Sequence, residues 1–449
     1  MSHPELACAL TPRIARRTAG LLLLAACFGG SPDAAAQELY YPPTDTDDWA
    51  TVSAAEAGFS ERGLDALDSL LEATNTHAFL LLRDGRIVRE HYYGDFGRDS
   101  LWLWNSAGKT MTAALIGIAQ AAGELDVAHA TSDYLGRGWT AMTPAREDAI
   151  TIRHQLTMTT GLDDTAVDVG CTHPSCLTYL AEPGTRWSYH NGPYTLLLDV
   201  LQAATGQAPN AYVRRRLTPA TGIRGGYLSL DSNRIFVSRP RDMARFGLLV
   251  LGGGAWDGTP VLADTAYLRA ATTPSQALNP AYGYLWWLNG QDSYLLPQGQ
   301  LRFDGAIAPR GRADAYFGIG KDAQVVAVHP GTREVWIRMG GRPNDRGLFV
   351  PTDYVDDLAA AIEAARVTSS SVEPVAAAED FRAWVADGRL HVRGAAGLTD
   401  LRLVDGLGRV RALGNVNGGS VGVGELSSGL YWVVGVERGG VVRRVGVVW

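Results

Sequence analysis

Lysine is almost absent from this chain: of its 40 basic residues 38 are arginine, and the two lysines are Lys109 and Lys321. Cysteine is scarce as well, with four among 449 residues, and no apolar run reaches the length of a membrane span. With no lysine-rich tract and a formal net charge of -7, the composition argues against a nucleic-acid partner. None of the nine histidines is paired with another at i, i+3 or i, i+4, and no His or acidic cluster with ligand spacing accompanies the cysteines. No metal-ligand pattern is therefore present, and the chemistry read below calls for no metal or organic cofactor. A guanidinium cannot be deprotonated in a protein, whereas an amine can. In so arginine-biased a chain, a surviving lysine marks a place where arginine does not serve.

One of the two lysines lies in residues 104–119, which read as the first turns of a helix running through the core, since almost every residue from Met111 onward is apolar or small. Ser106 and Lys109 are three residues apart, so they share one face at the amino-terminal end. Serine is a poor nucleophile at neutral pH, and a lysine whose ammonium form is disfavoured by desolvation can take its proton. The helix terminus also offers free backbone N–H groups to a developing oxyanion. This is the one Ser-x-x-Lys of the chain.

Residues 1–36 read as an export signal, with Arg13, Arg16 and Arg17 leading, an apolar run over 21–26, and small residues at Ala34, Ala35 and Ala36. Removal after Ala36 is the favoured reading. The segment 24–27 also resembles a lipobox, in which Cys27 would become a lipidated amino terminus and a membrane anchor. On either reading the mature protein is exported, to the periplasm or beyond the cell. With Cys8 and Cys27 in the leader, Cys171 and Cys176 are left as a close pair and are expected to form a loop-closing disulfide.

Residues 78–93 hold two apolar runs around Asp84-Gly85, a hairpin signal. Residues 140–260 are mostly helical in periodicity, and strands are expected again over 282–288, 324–328 and 334–339. Strands at both ends of a helical middle suggest one antiparallel sheet built from the two termini beside an inserted helical region. Within the middle lies the one Tyr-x-Asn, Tyr189 and Asn191. A phenol beside a cationic lysine has its phenolate favoured, so Tyr189 is a candidate acid and base. Asn191 is placed to orient the lysine or a substrate carbonyl. Gly318 and Gly320, leading to Lys321, let a strand backbone approach a ligand closely.

Ser106-x-x-Lys109, Tyr189-x-Asn191 and the strand motif Gly318-Ile319-Gly320, in that order, resemble the serine beta-lactamase and penicillin-recognising superfamily. More narrowly they resemble its class C beta-lactamase-like hydrolases, which include DD-peptidases, esterases and 6-aminohexanoate-dimer hydrolases. The likeness covers residues 50–365. It implies an α+β fold, an antiparallel sheet with helices on both faces and an inserted helical lobe, and a small-molecule ester, amide or lactam substrate. It implies that Ser106 is acylated, that Lys109 accepts its proton, that Tyr189 is the second acid and base, and that Asn191 contacts the substrate or Lys109. The oxyanion would be held by the N–H of Ser106 and a strand N–H, that of Lys321 just after Gly320. Where beta-lactamases and many DD-peptidases carry Lys-Thr-Gly or His-Thr-Gly, this chain has Gly318-Ile319-Gly320. That departure favours an esterase or amidase over strong penicillin chemistry, unless the Lys321 side chain restores a cation nearby.

The expected domains are the leader, a hydrolase domain over 37–365, a small-residue linker over 366–378, and a C-terminal module over 379–449. The last is built of short alternating runs separated by glycines and reads as a small all-β sandwich. It is expected to contact secretion machinery or the cell envelope. The alternatives to an exported serine hydrolase are a DD-peptidase or beta-lactamase, and a catalytically weak penicillin-binding-like protein with a cell-wall or regulatory role.

Overall fold

The computed structural model describes residues 38–367, apart from 166, 167, 169, 231, 298 and 344–349, together with Leu413 and the strands between 382 and 448. The leader, with Cys27, and residues 368–378 of the expected linker lie outside the described residues. The chain divides between Val367 and Thr368 into two units.

In the first unit Ser60 caps helix α1 (Glu61–Ala73) by accepting from the Gly63 N–H, and Leu64, Leu67 and Leu71 give the helix one buried face. Strands β1 (Thr76–Arg83) and β2 (Arg86–Tyr92) follow as the expected hairpin. Asp84 and Gly85 take φ of 50° and 81° in its turn, the conformation that Asp-Gly suits. One turn of 3-10 helix (Asn105–Gly108) leads into helix α2 (Lys109–Ala121), buried from Lys109 through Ala119. Then come helix α3 (Asn191–Thr205), strands β3 (Gly225–Leu230) and β4 (Asn233–Ser238), helix α4 (Pro240–Leu251), strands β5 (Trp287–Leu288), β6 (Tyr316–Gly320), β7 (Gln324–His329) and β8 (Glu334–Gly340), and helix α5 (Thr352–Ala364).

The main sheet runs β2-β1-β8-β7-β6-β5 with every neighbour antiparallel. The first hairpin therefore joins the last strand, with Phe79 opposite Arg338, and the sheet is made from both ends of the unit. Alternation along β8 sends Val335 and Arg338 to opposite faces. Helix α4 packs on the Val335 face, where a Cβ on Gly247 would lie 2.4 Å from Val335 Cγ1. On the other face, Arg338 lies 5.2 Å from the ring of Tyr354 in α5. Helices thus cover both faces, an α+β arrangement.

Two local expectations differ from the structure. The stretch read as helical contains the β3-β4 hairpin, extended by the short strand Trp102–Leu103. Its apolar runs are too short to separate from helix by periodicity. The run over 282–288 forms a strand only at Trp287 and Leu288. Before it the chain turns, with Leu285 at φ 62°, and Tyr282 bridges back to Trp287.

Among the described residues the second unit holds two antiparallel sheets. One consists of Arg382–Ala386, Arg389–Arg393 and Ser420–Val421; the other of Val410–Ala412, Leu398–Asp405, Leu430–Glu437 and Val442–Val448. Leu390 with Val392, and Leu401 with Leu403, are buried at period two, as half-buried strands require.

Candidate active site

Trp104 fixes the approach to Ser106. Its backbone N–H donates to Phe236 O at 2.9 Å and its indole N–H to Ser238 Oγ at 2.8 Å, so the β4 strand holds the chain on both sides of the ring. Asn105 then takes φ 48°, a left-handed conformation that asparagine enters at lower cost than most side chains. Its Nδ2 donates to Lys321 O at 2.9 Å. The bend delivers Ser106 in the first turn of the 3-10 helix, where a backbone N–H is not used by the helix itself.

Lys109 Nζ lies 3.1 Å from Ser106 Oγ. The lysine is 3% exposed, and no carboxylate pairs with it among the described residues. Burial alone pulls its pKa from 10.5 down to about 7. Its amine faces two rings, 4.9 Å from the centroid of Tyr189 and 4.2 Å from that of Tyr194.

Tyr189 is buried in an aromatic wall, parallel to Trp287 at 6.0 Å and edge-on to Tyr282 at 6.2 Å. Its hydroxyl interacts with Ser106, so serine, amine and phenol meet. The expected phenolate does not follow. Burial raises the Tyr189 pKa, outweighing the Ser106 hydrogen bond that lowers it, and an amine that is half neutral near pH 7 is a weak cation to offset that burial. Asn191 opens α3, and its Oδ1 is buried without a hydrogen-bond partner. It does not bond Lys109.

Strand β6 closes the other side. β5 pairs only with Tyr316 and Phe317, so Gly318 to Gly320 form an open edge. A Cβ on Gly320 would lie 2.5 Å from Trp104 O, 2.9 Å from Ala107 N and 3.0 Å from Ser106 N. One on Gly318 would lie 3.0 Å from Thr110 Cγ2 and 3.2 Å from Ala107 O. Glycine is required because the strand backbone touches the turn that carries Ser106. Lys321 follows in a 3-10 turn (Lys321–Ala323) with its side chain exposed. Its main chain, through Asn105, touches the serine turn.

Arg338 escaped the sequence reading. It is fully buried and donates to Asp322 O at 2.6 Å, Ala323 O at 3.1 Å, Thr74 O at 2.8 Å and Gly341 O at 3.0 Å. Asp322 and Ala323 both have positive φ, so this guanidinium pins the strained turn after Lys321. Tyr194 and Asn105 escaped too. The available signal was positional: Asn105 directly precedes the candidate nucleophile, and Tyr194 lies three residues after Asn191.

Cys171 and Cys176 are disulfide-bonded. Their loop abuts the start of α3, where a Cβ on Gly192 would lie 2.4 Å from Cys171 O. A cavity of about 360 Å3 opens beside Trp187, lined also by Leu278, Leu295, Arg186, Gln300 and Arg302. Among the described residues no group of three His, Cys, Asp or Glu converges as a metal site would require, and no helix is long and apolar enough to cross a membrane.

The family described as Beta-lactamase matches residues 66–361. Among solved structures, a Bacillus anthracis protein provisionally named a 6-aminohexanoate-dimer hydrolase is 16% identical with a TM-score of 0.55, over 73% of this chain and 90% of its own. A penicillin-binding protein homologue from Caulobacter crescentus is 15% identical with a TM-score of 0.52, over 68% of this chain and 99% of its own. The structure named SurE is 16% identical with a TM-score of 0.51, over 87% of this chain and 93% of its own. No curated protein matches the chain. At these identities the solved structures speak for the fold, and the family match spans well over half of the sequence: the chain belongs to the Beta-lactamase family, in the serine beta-lactamase and transpeptidase-like superfamily of hydrolases.

Proposed function

We propose that the protein is an exported serine hydrolase that cleaves an ester or amide bond through an acyl-enzyme on Ser106. The observation that carries this reading is the contact between Ser106 Oγ and a buried, carboxylate-free amine 3.1 Å away, whose pKa of about 7 makes it a proton acceptor at neutral pH. Lys109 takes the hydroxyl proton as Ser106 Oγ bonds to the acyl carbon. The N–H of Ser106 and an N–H of the Gly320–Lys321 edge stabilise the oxyanion. Tyr189, kept protonated by burial, donates to the leaving alcohol or amine as the acyl bond breaks, and the Lys109 ammonium replaces that proton. Water then attacks the Ser106 ester, and the same groups return the hydroxyl and release the acid.

The absence of a cation and hydroxyl at Gly318-Ile319-Gly320 supports linear esters and amides over beta-lactams. The leader and the Cys171–Cys176 disulfide support export. A fluorophosphonate probe should label the wild type and not Ser106→Ala. p-Nitrophenyl butyrate and a 6-aminohexanoate dimer should turn over faster than nitrocefin. Labelling that survives Ser106→Ala, or hydrolysis that does, overturns the reading.

A further inference from the structure

Tyr194 belongs to neither motif, yet its ring is the aromatic face nearest the Lys109 amine, at 4.2 Å against 4.9 Å for Tyr189. It sits in the first turn of α3 and is 5% exposed. Its hydroxyl points elsewhere, interacting with Thr112, whose Oγ1 lies 2.9 Å from the Tyr227 hydroxyl. Thr112 is three residues after Lys109 on α2, and α3 packs against α2, so the ring sits where α3 meets the helix that carries the amine. We propose that Tyr194 is a positioning residue: its ring, with that of Tyr189, holds the Lys109 amine against Ser106 and keeps water away from it.

The proposal rests on the reading of Lys109 as proton acceptor. An aromatic face attracts a cation and so favours the ammonium form, but a ring standing where water would stand removes hydration and disfavours it. Burial pulls the Lys109 amine downward, and the Tyr194 ring, 4.2 Å from it, is part of what buries it. Removing the ring therefore returns the amine toward its ordinary value.

A chain with two lysines makes this directly readable. Protein labelled with 13C at the lysine ε-carbon gives two signals, which Lys321→Arg assigns, and each can be titrated without any assay of activity. Tyr194→Phe keeps the ring and should leave the Lys109 midpoint in place. Tyr194→Ala opens space for water, and Tyr194→Gln keeps length but offers a polar group. In both, the midpoint should rise by at least roughly one pH unit, and the acid limb of kcat/KM on p-nitrophenyl butyrate should rise with it. Two variants are used so that folding of either suffices. An unmoved Lys109 signal in a folded Ala or Gln variant overturns the proposal, as does an equal shift in Tyr194→Phe. If Lys109 responds as stated while Ser106→Ala still hydrolyses substrate, the acyl-enzyme reading fails and the positioning of the amine by Tyr194 stands.

Discussion

Gly320 approaches Ser106 so closely that a methyl group on it would lie 3.0 Å from the Ser106 backbone nitrogen. Its φ of -119° is one that any residue adopts, so the requirement for glycine is one of space. Gly320→Ala adds a carbon against Trp104 O and Ala107 N as well, and backbone atoms there cannot swing aside as a flexible side chain would. Overpacking of this kind costs about 1–3 kcal/mol of stability. The displaced serine N–H should lower kcat by roughly 10²-fold or more, with KM changed far less. Steady-state kinetics and thermal unfolding on the same preparation check this; a variant with wild-type kcat removes the strand edge from the catalytic reading.

Lys109 and Arg differ in whether the charge can be given up. If Lys109 accepts the Ser106 proton, Lys109→Arg preserves a cation and a donor but no acceptor, and kcat/KM should fall by about 10²–10⁴-fold. In the wild type the neutral amine predominates above its pKa of about 7. Hence kcat/KM should rise with pH and level off above about 7, and that limb should be missing from the residual rate of Lys109→Arg. A flat wild-type profile between about pH 6 and pH 8 refutes the assignment.

The same displacement links proton binding to folding. The amine titrates at its ordinary 10.5 when unfolded and at about 7 when folded, so between those values the unfolded chain binds more protons. Stability therefore rises with pH across this window. The contribution is fully present above 10.5 and is lost as pH falls through 7. At 1.36 kcal/mol per pKa unit, the wild type should gain roughly 2 kcal/mol relative to Lys109→Met between about pH 7 and about pH 9. Urea denaturation of the two proteins at several pH values measures the difference, in which every other titrating group cancels. Parallel curves would mean that Lys109 is not buried as described.

Much of this site was legible in the sequence because its chemistry is local. The three-residue spacing of Ser106 and Lys109 fixes their contact on any helical turn, and Asp84-Gly85 specifies its own turn. What escaped depends on residues distant in sequence. That Phe236 O and Ser238 Oγ would hold Trp104 required knowing that residues 225–238 form a hairpin, and six-residue strands with mixed patterning do not declare themselves. The state of Tyr189 escaped for a related reason. Spacing brings a phenol toward a lysine, but the sign of its pKa shift is set by how completely Trp287 and Tyr282 bury it, and burial belongs to the whole fold. The rarity of lysine, by contrast, needed no fold at all to draw attention to position 109.

Arg338 supplies the last prediction. Its guanidinium, pulled below its ordinary pKa by burial, meets backbone carbonyls of Thr74, Asp322, Ala323 and Gly341, which belong to three separate connections. Arg338→Met keeps most of the volume and leaves those carbonyls unpaired in a dry interior, each at about 1–3 kcal/mol if nothing replaces the donor. With partial relaxation the total loss should be about 3–5 kcal/mol, read by urea denaturation. Arg338→Lys should recover little, because one ammonium cannot reach carbonyls on several sides that a planar five-donor fork spans. Since Asp322 and Ala323 follow directly on Lys321, the folded fraction of Arg338→Met should also lose kcat, the turn no longer being held against Asn105 and the serine it positions. Retention of full kcat per folded molecule would show that the strand edge is fixed by the Gly320 contact alone.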